Sequence, residues 1–137
     1  MNKIAGIITT EERRMIRDYI LLTHMLTMIQ KSIEDLKFTD SLFKDVFMAC
    51  NEHIENMVLM DAKNHRLTLK DYGIQVTREE HAGFVVYYHY ICRGYTDRLG
   101  LTRDVMRSEI SIRLGKYVAE IGEAIKRAAM LAPKFEM

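Results

Sequence analysis

Apolar residues recur every three or four positions along most of this chain, and that period predicts helices. The longest series runs Met15, Tyr19, Leu22, Leu26, Ile29, Ile33 and Leu36. Ahead of it, Thr9 with Glu12 three residues later has the form of a capping box, in which hydroxyl and carboxylate satisfy the free amides of a helix start. Together they predict a first helix over about 10–37. Thr39, Asp40 and Ser41 offer a new N-cap, and Phe43, Val46, Phe47, Cys50, Ile54, Met57 and Val58 carry a second helix to Asn64.

Between 65 and 76 the period fails. Leu67 and Leu69, then Ile74 and Val76, alternate around Lys70–Gly73, which fits either a small hairpin or a single helical turn ending at Gly73. The short turn is preferred. Thr77 and Glu80 repeat the capping-box form. Residues 84–92 then pull two ways: their Val, Ile and Tyr content favours a strand, whereas Phe84, Tyr88, Ile91 and Tyr95 keep a helical spacing that tips the balance to a third helix. A last helix is expected from Thr102 to about Met130, with Met106, Ile110, Leu114, Tyr117 and Ile121 on its core side and Pro133 beyond its end. Gly115 and Gly122 in its interior each cost about 1 kcal/mol relative to alanine. Close approach of a neighbouring backbone along Ser111, Gly115, Ala119 and Gly122 is the expected compensation. The resulting expectation is a single all-α domain over 1–137, an antiparallel bundle of four main helices with a short irregular connection at about 65–76.

Composition narrows the function classes. A hydrophobic content of 48% with a net charge of +1 is the opposite of the disordered signature. Near-neutrality also removes the overall basic excess that marks most nucleic-acid binders. Two cysteines in 137 residues make no disulfide scaffold. The apolar stretch Ile4–Ile8 is short for a secretory signal, and Phe84–Tyr88 is far too short to span a bilayer, so a cytoplasmic protein without membrane contact is expected.

The most specific chemical pattern is a mirrored pair, Cys50-x-x-His53 and His89-x-x-Cys92. Were both segments antiparallel helices, one register would set Cys50 opposite Cys92 and His53 opposite His89, a ligand set suited to zinc. Packing of buried thiols is the plainer expectation, and no other cofactor is anticipated. No catalytic set stands out. His24, beside the first helical seam, is expected to be a hydrogen-bonded boundary residue.

Leu21, Met25 and Met28 widen the apolar arc of the first helix beyond one seam, which calls for a second partner: a homodimer or another protein. Tyr87, Tyr90, Arg93, Arg98, Arg103 and Arg107 form a second candidate contact region. Arginine with tyrosine can also grip phosphates and stack bases, although the interleaved Asp97, Asp104 and Glu109 oppose a nucleic-acid footprint. The expected function is therefore a small homodimeric protein-interaction module, regulatory or adaptor-like, with no catalysis of its own. A Cys2His2-type metal-binding bundle and a nucleic-acid-binding regulator using 87–107 are the alternatives.

Overall fold

The computed structural model describes residues 8–131, so most of the short apolar stretch at the start and Pro133 lie outside the described residues. The element order is α1 (Thr10–Leu36), α2 (Lys44–Asp71), β1 (Ile74–Ala82), β2 (Val85–Cys92), β3 (Tyr95–Thr102) and α3 (Arg103–Leu131). The described residues form an α+β fold, three helices and a three-stranded antiparallel sheet in the order β1-β2-β3, and not an all-α four-helix bundle.

The capping box at the start of α1 forms as the sequence predicts. Thr9 Oγ1 accepts from the Glu12 amide at 3.1 Å, and the Glu12 carboxylate accepts from the Thr9 amide at 3.0 Å. By contrast, α2 does not stop at Asn64 but continues to Asp71, so the expected irregular connection is helix up to Asp71 and strand from Ile74.

The largest correction is the segment 84–92. Its Val, Tyr and Ile residues form β2, the central strand, with β1 and β3 on either side. Two tight turns make this possible. Gly83 has φ +63° and opens the two-residue loop between β1 and β2, while Arg93 (φ +49°) and Gly94 (φ +89°) form the loop between β2 and β3. Two-residue loops with positive φ match the twist of antiparallel strands, whereas a helix tolerates none of these angles. The second apparent capping box, Thr77 and Glu80, lies within β1.

The core explains why α1 is apolar around so much of its circumference. Ile16, Ile20, Leu21, Leu22, Met25 and Ile29 of α1 are all buried, in one cluster with Ile54, Val58, Ala62 and Leu69 of α2, Val86, Tyr88, Tyr90 and Cys92 of β2, and Met106 and Ile110 of α3. For Leu21 and Met25 the sheet and α3 of the same chain complete this burial, whereas Met28 stays exposed. Polar pairs finish these seams: Arg17 with Glu109 (3.3 Å) and Asp18 with Arg113 between α1 and α3, and Asp61 with Tyr117 between α2 and α3. Among the described residues, no helix is long and apolar enough to cross a membrane.

Candidate functional site

Side chains alternate along β2, with Val86, Tyr88, Tyr90 and Cys92 buried on the helix-facing side and Val85, Tyr87, His89 and Ile91 on the other. A register shift between Val76 and Arg78 decides what β1 presents to each side. Before the shift Ile74 and Val76 pair with Cys92 and Tyr90; after it Glu79 and His81 pair with Tyr88 and Val86. The extra residue, Thr77, sends its hydroxyl to the His89 carbonyl at 3.1 Å. A bulge of this kind re-aims the residues that follow it. Here it turns Glu79 and His81, rather than Arg78 and Glu80, towards α1.

A half-open cleft of about 350 Å³ results between α1 and β1, lined by Tyr19, Thr23, His24, Thr27, Glu79 and Tyr88 among others. The Tyr88 hydroxyl hydrogen-bonds His24 Nε2, and the two rings meet edge to face with centroids 5.6 Å apart. The Glu79 carboxylate lies 3.7 Å from His24 Nε2 and 3.4 Å from His81 Nε2. Arg103 Nη2 in turn lies 3.3 Å from His81 Nδ1. Burial holds the His24 pKa below its ordinary value, against the opposing pull of Glu79. Burial, reinforced by Glu79, pushes the Tyr88 phenol up. Burial thus favours the neutral form of His24, which shares its Nε2 hydrogen bond with the Tyr88 hydroxyl. It is the hydrogen-bonded boundary residue that its position beside the seam suggests.

On the opposite face the Glu80 carboxylate accepts from His89 Nε2 at 2.9 Å and lies 3.8 Å from the Arg98 guanidinium. The hydrogen bond from His89 is the main cause that lowers the Glu80 pKa. Arg98 stacks over the Tyr87 ring, 3.9 Å from its centroid.

The residues proposed for zinc do not come together. Because 84–92 is a strand, His89 and Cys92 face opposite sides of the sheet. Cys92 pairs with Ile74, just past the end of α2, whereas Cys50 lies 21 residues before that end, about 30 Å along the helix at 1.5 Å per residue. His53 is exposed and His89 is engaged with Glu80. Among the described residues no group of three or more His, Cys, Asp or Glu side chains is placed to hold a metal ion.

The predicted contact residues divide in a similar way. Leu21, Met25 and Tyr90 are core residues, each no more than 1% exposed, and cannot meet a partner. Arg93 is occupied by Glu12, at 2.6 and 3.0 Å, and by the Tyr72 carbonyl at 2.8 Å. Met28, Arg98, Arg103 and Arg107 are exposed and Tyr87 is half-buried, but they do not form one patch: Met28 lies on α1, Tyr87 and Arg98 lie on the outer sheet face, and Arg103 and Arg107 begin α3.

A different surface carries the large exposed apolar side chains. At the turn between α1 and α2, Phe38 is 87% exposed, Leu42 89%, Phe43 56%, Val46 58% and Phe47 48%. Ser41 Oγ accepts from the Phe43 amide at 3.2 Å, and Lys44 Nζ bridges back to the Lys37 carbonyl at 3.1 Å. These bonds hold the turn, and the Phe43 and Phe47 rings lie 6.0 Å apart on it. Helical period places Phe43, Val46 and Phe47 on the second helix but does not separate exposed from buried positions. The overlooked signal was the apolar pair Phe38 and Leu42, set among turn residues that bury nothing.

A family model described as YhjD protein matches residues 7–122, most of the chain. The chain belongs to the YhjD protein family. No curated protein and no solved structure matches it. The span that defines YhjD membership takes in α1, α2, the whole sheet and most of α3, so the α1–β1 cleft and the apolar hairpin end both lie inside it.

Proposed function

We propose that this chain is a protein-interaction module and that its working surface is the apolar end of the α1–α2 hairpin. One observation carries the proposal. Five large apolar side chains, Phe38, Leu42, Phe43, Val46 and Phe47, stand half to almost fully exposed within ten residues, on a turn fixed by its own hydrogen bonds. Scattered exposed hydrophobes are ordinary, but contiguous ones mark a surface that something covers. The α1–β1 cleft is a weaker candidate for the same role, since its polar groups already satisfy one another through the His24, Glu79 and His81 contacts.

A photoreactive amino acid at position 42, compared with one at the exposed Lys63, tests the proposal in cells. The expected result is a discrete protein adduct from position 42 that Phe43→Asp abolishes while the circular dichroism of the variant stays that of the wild type. Equal labelling from both positions, or an adduct indifferent to Phe43→Asp, would overturn it.

A further inference from the structure

We infer that the protein covering this apolar end is a second copy of the same chain. The inference rests on the interaction surface proposed above and names its occupant.

Area comes first. With roughly 150–250 Å² available per large aromatic side chain and somewhat less for Leu and Val, the exposed fractions of Phe38, Leu42, Phe43, Val46 and Phe47 amount to roughly 600 Å². That reaches the top of the ~300–600 Å² range of the largest patch on an ordinary monomer. It approaches the ~800 Å² that each partner contributes to a standard stable interface.

Charge narrows the occupant. Around the patch, Lys31, Lys37 and Lys44 stand against Glu34, Asp35, Asp40 and Asp45. Lys37 is already paired with Glu34 at 2.8 Å, and Lys44 is tied to a turn carbonyl. This balanced rim offers no attraction to anionic lipid or to nucleic acid, both of which demand a basic excess. Two copies meeting across it bring mixed signs on both sides, so the rim does not repel its own image.

Shape supplies the third argument. Beside the patch, α1 carries an open groove of about 470 Å³ lined by Met28, Lys31, Ser32, Asp35, Leu36 and Thr39. One end of the molecule therefore holds both projecting apolar side chains and a groove able to receive them. A two-fold pairing satisfies both protomers at once, because the patch of each meets the groove of the other and the contact closes without forming a chain of subunits.

Sedimentation velocity of the full chain over a dilution series is the test. The wild type is expected to form a dimer whose dissociation constant rises by at least about ten-fold in Leu42→Asp and Phe43→Asp. Val118→Asp, at an exposed apolar position on α3, is expected to leave it unchanged. Leu42 is 89% exposed, so its replacement does not disturb the core. A wild type monomeric at every concentration overturns the inference, as does a dimer that Val118→Asp disrupts and Leu42→Asp does not. If the chain is monomeric while the position-42 adduct contains a different protein, self-association fails and the interaction surface stands. If neither a dimer nor a specific adduct depends on the hairpin end, both fail.

Discussion

Arg93 grips Glu12 through two parallel hydrogen bonds, Nη1 to Oε2 at 2.6 Å and Nη2 to Oε1 at 3.0 Å, across 81 positions of sequence. The pair joins the β2–β3 turn to the first turn of α1. Glu12 is only 1% exposed and also closes the capping box at the positive end of the α1 dipole. Arg93 in turn holds the end of α2 through the Tyr72 carbonyl.

That arrangement makes a pH prediction. The Arg93 hydrogen bond, above all, lowers the Glu12 pKa from 4.5 to about 2. A carboxylate with a depressed folded-state pKa contributes stability that is present above the unfolded value and lost as pH falls through the folded one. The contribution of the pair should therefore be complete above pH 4.5 and disappear between 4.5 and 2. Because Arg93 is partly open to water, about 2 kcal/mol is expected rather than the full value of the shift. In Glu12→Gln this part of the acid dependence should vanish from urea midpoints measured across that range.

His24 titrates in a different window. Its pKa is lowered from 6.5, chiefly by burial, so the unfolded chain binds the proton more readily than the folded one. Stability due to neutral His24 is present above pH 6.5 and declines as pH falls below it. NMR titration should place the His24 ring below the ordinary histidine value. Tyr88→Phe, which removes the hydrogen bond to Nε2, should cost about 1 kcal/mol at neutral pH.

Gly100 sits opposite Tyr87 on β3, where a Cβ would come within 3.0 Å of the Tyr87 ring and 3.2 Å of Val85 Cγ1. Gly100→Ala should therefore lower thermal stability by about 1 kcal/mol and displace the ring on which Arg98 stacks. In a Tyr87→Ala background the same substitution should lose most of its cost, since glycine in a strand is otherwise worse than alanine by ~0.5–1 kcal/mol. A double-mutant cycle measures the difference directly.

Gly115 and Gly122 of α3 give the opposite outcome. A Cβ at either position meets nothing within 4 Å, so the close backbone approach expected from the sequence is absent among the described residues. Each Gly→Ala change should stabilise α3 by about 0.5–1 kcal/mol, seen as a raised melting temperature.

Both long N-terminal helices and α3 were legible because helical period and capping are local. Thr9 and Glu12 sit three residues apart, and Thr102 Oγ1 accepts from the Val105 amide at 3.2 Å at the start of α3. The sheet was missed because Phe84, Tyr88, Ile91 and Tyr95 share a spacing that suits a helix. Gly83-Phe84 and Arg93-Gly94, two-residue turns flanking the Val- and Tyr-rich run, were the better guide. The cleft was not legible at all. His24 and Glu79 lie 55 positions apart, and Glu79 faces α1 only because the bulge beside Thr77 shifts the register. No local pattern announces such a shift.

The element order has a consequence for how the chain acquires its structure. The sheet is an uninterrupted meander in chain order, α1 pairs with the helix that follows it, and β3 passes into α3 without a linker. Contacts between sequence neighbours close short loops and form quickly. During synthesis the helical hairpin can form before the first strand emerges, and the meander can zip up one strand at a time. The Glu12–Arg93 clasp then has to wait for the second strand turn, and the docking of α3 through Asp18, Asp61 and Glu109 comes last.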